Sequence, residues 1–289
     1  MIGGLLAFSL GALLGIVNGG TFNPSLVVLA YFVVLLGDLS SHYSNDYFDV
    51  EVDKNIEQKK FFAGSAVLVK YPNLRLIAKS ISICLLFCSN FLALLLFLFF
   101  GVSIEIFLVI LCASLVGWFY SAPPLRLISK GFGEVAVAFV TGFAIPAIGY
   151  LSVKNQFDPL FLYLAVSFVM YGFMLSLSLE APDAAIDRKG GKKTLIVRKG
   201  PLWVFLTIFG LAMFDTLLLT LYSLVIVTEI MEIGFFAIFS IVPLISALVG
   251  FAGILKKKNV NRFSGLNVAS LFIFNTLSVS YLIALVFSM

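Results

Sequence analysis

The sequence predicts an all-α polytopic membrane protein with about nine transmembrane helices. Three observations predict that class. Hydrophobic residues make up 61% of the 289 positions. Charged residues make up only 12%, against roughly a quarter in water-soluble globular chains. The basic residues also gather in alternate connections, as they do in a chain threaded back and forth through a bilayer.

Apolar runs between charged or Gly/Pro breaks cover residues 2–17, 26–44, 76–100, 104–120, 132–151, 159–180, 202–227, 234–255 and 266–287. Crossing the hydrocarbon takes about 20 residues, so the first run is short. It is expected either as a half-length helix or as the remainder of a longer one. No basic residue precedes it and no cleavage site follows, so a signal peptide is not expected.

The connections 18–25, 101–103, 152–158 and 228–233 are short, while 45–75, 121–131, 181–201 and 256–265 are long and basic. Of the 19 Lys and Arg residues, all but Lys154 lie in the long set or just inside the helices leaving it. Glu105, Asp158, Glu229 and Glu232 lie on the other side. This bias predicts cytoplasmic long loops, an N-terminus inside and a C-terminus outside. The loops leave no room for a separate soluble domain, so residues 1–289 are read as one membrane-embedded domain. A net charge of +4 is too small to point to nucleic acid. Cys84, Cys88 and Cys112 lie in apolar runs without a CxxC pair, which reads as packing and not as a disulfide or zinc site.

The residues that carry chemistry sit in the long loops. NDYFDVEVD, Asn45 to Asp53, places Asn45, Asp49 and Asp53 at i, i+4 and i+8. On a helix these form one stripe, with Asp46 beside it. Oxygen ligands at the mouth of a membrane helix are costly unless a cation sits on them. They are therefore read as a Mg²⁺ site for a phosphorylated substrate. A second acidic group follows the sixth run: Glu180, Asp183 and Asp187 within LEAPDAAIDRKGGKKTL. Asp183 and Asp187 again stand four apart, and Arg188, Lys189, Lys192 and Lys193 come directly after. One such pair is most simply a solvated loop. Two pairs on the same side of the membrane make a frame for a diphosphate held through divalent metal, with basic side chains neutralising the remaining oxygens. Between them, YSAPPLRLISK (Tyr120 to Lys130) supplies hydrogen-bond donors and the basic residues Arg126 and Lys130. A basic loop of this kind also serves as a plain membrane-surface anchor.

NDYFDVEVD, YSAPPLR and DAAIDRKGGKKTL, in this order and separated by apolar spans, resemble the UbiA superfamily of intramembrane prenyltransferases. The resemblance covers nearly the whole chain. It implies a helical bundle around a central cavity open sideways to lipid. The implied activity is transfer of a prenyl group from a Mg²⁺-bound prenyl diphosphate to an acceptor, usually an aromatic ring. Carried onto matching positions, it implies metal binding by Asn45, Asp46, Asp49, Asp53, Asp183 and Asp187. Diphosphate contacts fall to Asn45, Arg126, Lys130 and Lys193. Catalytic roles fall to Asp49, Asp183 and Tyr120, the Tyr120 ring stabilising positive charge at the allylic carbon.

Two features depart from the family pattern. The Arg-Pro pair that usually enters the first span is missing. The stretch NIEQKKFFAGSAVLVK, Asn55 to Lys70, is closer to the menaquinone branch than to the usual Arg-Pro-rich form. The resemblance therefore points to a dihydroxynaphthoate-like, quinone-type acceptor.

Other ionisable residues extend the site. Asp38 lies seven residues before Asn45 and about 10 Å deeper, as a cavity-wall or acceptor-binding group or a structural hydrogen bond. His42, the only histidine, is either a packing residue or a proton shuttle. Glu134 begins the fifth run and is placed to reach the same cavity. Asp215, in mid-span, reads as an inter-helix hydrogen bond. Two rival functions remain: geranylgeranylglyceryl phosphate prenyl transfer in ether-lipid synthesis, and an ion-coupled transporter. A transporter predicts acids at span centres, whereas most here lie at span ends. A membrane alcohol phosphotransferase would need DG and AR dipeptides that do not occur in that arrangement.

Overall fold

The computed structural model describes residues 2–54, 67–226 and 231–289, the side chain of Asp53 excepted. Residues 55–66 of the menaquinone-like stretch and Glu229 lie outside the described residues. The described residues form helices and no strands. In order these are α1 (Ile2–Val17), α2 (Pro24–Phe48), α3 (Val50–Asp53), α4 (Val67–Lys70), α5 (Arg75–Phe100), α6 (Ile104–Ser121), α7 (Leu127–Lys130) and α8 (Gly133–Val137). A π-helical segment, Ala138–Ala144, joins α8 to α9 (Ile145–Lys154). Then come α10 (Pro159–Glu180), α11 (Ala184–Lys189), α12 (Leu195–Lys199), α13 (Pro201–Val225), α14 (Gly234–Leu255) and α15 (Val260–Ser288). Eight stretches are long and apolar enough to cross a membrane, and α1 is a shorter apolar helix.

The apolar runs match these helices closely, and two departures share one cause. α2 continues four residues past the apolar run, through Asn45 to Phe48, and α15 starts six residues before it, at Val260. A hydropathy boundary falls at the edge of the hydrocarbon, but a helix with internally satisfied hydrogen bonds continues into the polar zone beyond. A third departure bears on the site. The helix breaks at Asp49 (φ −95°, ψ 5°), so Asp53 stands on the separate α3.

Side chains such as Phe87, Phe99, Leu224 and Phe287 are exposed, as lipid-facing residues are. Lipid tails are as apolar as these side chains, so close packing and hydrogen bonds hold the helices together, more than hydrophobic transfer. Ser40 and Ser82 each donate to the other's carbonyl at 2.8 Å, and Ser89 Oγ donates to Val33 O at 2.8 Å, joining α2 to α5. Asp215 is buried on α13 beside Ser167 and Tyr171 of α10. At one end of the bundle, Asp158 caps α10 by accepting the Phe161 N–H, while Asn18 Nδ2 donates to its other oxygen at 2.6 Å. Tyr150 also donates to that oxygen, and Lys154 donates to the Asn18 carbonyl.

Glycine sets the tightest contacts. A Cβ on Gly11 would stand 1.9 Å from Pro146 O, and one on Gly149 would stand 2.2 Å from Phe8 O. Glycine at these two positions lets the backbones of α1 and α9 approach this closely. The π segment is seated the same way: a Cβ on Gly142 would meet Phe168 O at 2.4 Å, and one on Gly172 would meet Ala138 Cα at 2.8 Å. Gly149→Val is expected to destabilise the protein by roughly 3 kcal/mol, read as a lower unfolding temperature in detergent. Gly4→Val, with nothing within 4 Å of the new Cβ, should leave that temperature unchanged.

Candidate active site

The connections that follow α2, α6 and α10 converge at the other end of the bundle. Asn45, on the last turn of α2, accepts a hydrogen bond from Ser121 Oγ at 2.5 Å, tying the first motif to the YSAPPLR loop. The Asp49 N–H still bonds to Asn45 O at 2.9 Å, so the two residues remain one turn apart. Asp49 is buried, as is Asp187 on α11. Lys192 stands between them, its Nζ 2.8 Å from Asp49 Oδ2 and 3.4 Å from Asp187 Oδ1. The loop folds back to allow this: the Lys192 N–H bonds to Asp187 O at 3.0 Å, and Gly190 packs so closely on Val52 of α3 that a Cβ would stand 2.6 Å away. Burial opposes the charge on Lys192, but Asp49 and Asp187 outweigh it and hold its pKa above the ordinary lysine value.

The two acidic motifs therefore meet through Lys192, one of the basic residues that follow the second motif. Lys193 is the residue expected on the diphosphate. The Lys193 side chain is exposed, and its N–H bonds to Ile128 O at 3.2 Å. Arg126, in the left-handed region at φ 41°, and Lys130, whose Nζ donates to Pro124 O at 3.4 Å, are also exposed on the rim. Asp183 is half-buried at the start of α11, beside Asp187. Tyr120 projects among the carboxylates of Glu180, Asp49, Asp187 and Glu134.

Below this acidic mouth lies a cavity of about 570 Å³. Asp38, His42, Asn45, Asp46 and Tyr120 line it, and its deeper wall is apolar, with Val33, Val34, Ile110, Val140 and Ile148. His42 Nε2 is 3.5 Å from Asp38 Oδ1. The π segment contributes Val140 and Thr141, so an irregular stretch shapes the wall, a common use of such segments. Glu134 is not among the lining residues; it is buried and accepts the N–H of Leu195 at the start of α12. It also lies beside Glu180, and together they extend the carboxylate cluster inward. Among the described residues, no Lys or Arg lines the cavity.

A family model described as the UbiA prenyltransferase family matches residues 5–285. The chain belongs to that family. Solved structures share the fold of this UbiA-family chain. A UbiA homologue from Archaeoglobus fulgidus, bound to DMAPP and Mg²⁺, has 19% identity and a TM-score of 0.75, covering 98% of this chain and 96% of its own. The apo UbiA homologue from Aeropyrum pernix K1 has 13% identity and a TM-score of 0.68, covering 94% and 96%. A digeranylgeranylglyceryl phosphate synthase has 17% identity and a TM-score of 0.67, covering 100% and 93%. No curated protein matches the chain significantly by sequence.

Glu134→Ala should cost about 2 kcal/mol by leaving the Leu195 N–H without its acceptor. Amide hydrogen exchange across residues 195–199 should speed up while the transmembrane helices keep their protection.

Proposed function

We propose that this UbiA-family protein transfers a prenyl group from a Mg²⁺-bound prenyl diphosphate to a quinone-type aromatic acceptor, a dihydroxynaphthoate-like ring, and releases diphosphate. One observation carries the reading: the two acidic motifs meet around Lys192 at the mouth of a cavity whose far wall is apolar. A substrate with an anionic head and an isoprenoid tail has that same polarity.

The donor set suits Mg²⁺, being carboxylate and carboxamide oxygen. Among the described residues no three His, Cys, Asp or Glu side chains form a closed metal cage. That agrees with Mg²⁺, which is usually held by one or two carboxylates together with substrate phosphates. Glu134 and Glu180 lie beside each other, close to Asp187. Asn45, Asp49, Asp183 and Asp187 would hold the ion, with Asp46 at the cavity edge. The side chain of Asp53 lies outside the described residues. When bound, Mg²⁺ supplies Lewis-acid stabilisation of the charge developing on the departing diphosphate.

The protein's own groups then act on the organic half of the reaction. The allylic C–O bond breaks and its electron pair leaves with diphosphate. Tyr120 offers its ring face to the allylic cation. The apolar wall keeps out water that would otherwise capture that cation. A ring carbon of the acceptor forms the new C–C bond, and the His42–Asp38 pair takes the ring proton. Arg126, Lys130 and Lys193, exposed on the rim, would attract the incoming diphosphate from the cytoplasmic side.

The ether-lipid alternative has one supporting observation, the shared fold with a digeranylgeranylglyceryl phosphate synthase. Against it, a phosphate dianion is harder to seat than a single carboxylate in a cavity that holds Asp38 and Asp46 and, among the described residues, is lined by no Lys or Arg. Mid-bilayer ion transport has less support, because the acids cluster at one end of the bundle.

The test incubates purified protein with Mg²⁺, labelled prenyl diphosphates and a panel of dihydroxynaphthoate, hydroxybenzoate and geranylgeranylglyceryl phosphate, and identifies the lipid product by mass. A prenylated naphthoate is expected; a prenylated glyceryl phosphate would replace the proposal. Asp49→Asn and Asp187→Asn should each lower turnover by at least about 100-fold. His42→Ala should lower kcat by roughly 100-fold with little change in KM for the prenyl diphosphate. A rise in that KM with kcat preserved would move His42 out of the proton-transfer role.

A further inference from the structure

Lys192 occupies the place where a cation is needed most. Its ammonium lies 2.8 Å from Asp49 and 3.4 Å from Asp187, one carboxylate from each acidic motif, and all three side chains are largely enclosed. Two carboxylates drawn this close repel unless positive charge stands between them. Lys192 supplies that charge with no help from solvent. Gly190, just before it, is wedged against Val52 of α3, and beyond Gly191 (φ 73°) the backbone is held by the Lys192 N–H to Asp187 O and Lys193 N–H to Ile128 O bonds. Exchange is therefore a swing of the Lys192 side chain and needs no movement of the loop.

We propose that Lys192 is an exchangeable internal counter-ion: it pairs Asp49 with Asp187 in the metal-free protein and gives way when a divalent cation binds those carboxylates. The inference rests on the metal-dependent reading above and adds that metal must compete with a residue of the chain itself. Two consequences follow for the protein before it meets substrate. The two motifs stay docked without metal, so the site does not have to assemble from separated loops. Metal affinity is also weaker than the carboxylates alone would give, because the Lys192 ion pairs must be broken first. The substrate-free protein is thereby kept from holding its metal too firmly.

The experiment measures Mn²⁺ binding to the purified full-length protein in detergent without diphosphate, by electron paramagnetic resonance of the free ion, together with thermal unfolding. Lys192→Met should bind Mn²⁺ about tenfold more tightly than wild type, equivalent to about 1.4 kcal/mol. Without metal it should unfold roughly 5 °C lower, because two buried carboxylates have lost their cation. Saturating Mn²⁺ should raise its unfolding temperature more than it raises that of wild type. Lys192→Arg, which keeps the charge, and Lys189→Met, an exposed neighbour, should both stay near wild type. If Lys192→Met does not fold, Lys192→Gln makes the same comparison. Equal or weaker Mn²⁺ affinity in the Lys192 variant, with binding lost in Asp49→Asn, would overturn the exchange and leave the metal site standing. No saturable Mn²⁺ binding in wild type or in the Lys192 variant would remove both.

Discussion

The site end of this molecule depends on one arrangement of charge: Asp49, Lys192 and Asp187 in a row, largely out of water. At an effective dielectric constant near 20, two unit charges 4 Å apart interact by about 4 kcal/mol. Without the ammonium, that energy would push α2 and α3 away from α11. With it, the same carboxylates hold the two halves of the chain together. The neighbouring ties are individually ordinary hydrogen bonds: Ser121 to Asn45, Leu195 N–H to Glu134, and Lys193 N–H to Ile128 O. They become cooperative because the ion row fixes the loops they connect.

The rest of the bundle gives this polar mouth a dry interior. Helix contacts made through glycine hydrogens, at Gly11 and Gly149 and again at Gly142 and Gly172, draw α1, α9, the π segment and α10 together. The cavity remains between α2, α6 and the interrupted helix that runs from Gly133 to Lys154. An uninterrupted α-helix would present its wall at a regular period of 3.6 residues. The π segment breaks that period at the depth where Val140 and Thr141 line the space. The shape of the cavity is therefore set by backbone irregularity as much as by side-chain size.

Most of the fold was legible in the sequence because the hydrocarbon imposes a length and a composition on each crossing. α1, α10 and α14 start and end at the residues where their apolar runs do. Helix ends beyond the hydrocarbon were less legible, as α2 and α15 illustrate, since hydropathy is silent there. The site was legible as far as spacing goes. Asn45 and Asp49, and Asp183 and Asp187, are local pairs, and a one-turn separation can be read from any sequence. The choice between Lys192 and Lys193 was not legible. Adjacent residues point in different directions, and which one turns inward depends on the loop closing from Lys192 N–H to Asp187 O. Glu134 meets the same limit: the distant Leu195 N–H that it binds cannot be read from its position at the start of a span. The break at Asp49 left no pattern either, because one residue outside helical geometry changes no composition.

Charge also explains how the bundle can hold so much acid at one end above an apolar cavity wall. The carboxylates sit at the bundle end, and in the cavity below His42 Nε2 stands 3.5 Å from Asp38 Oδ1. Moving inward, carboxylates give way to aliphatic wall. An anionic head that arrives with its own cation is stabilised at the mouth and opposed further in, whereas an isoprenoid tail meets the reverse. In the proposed reaction this gradient would orient the substrate before any specific contact is made, with the scissile bond at the boundary beside Tyr120. That boundary is where a carbocation is safest: carboxylates stand near enough to stabilise it, and the apolar wall leaves little room for the water that would consume it.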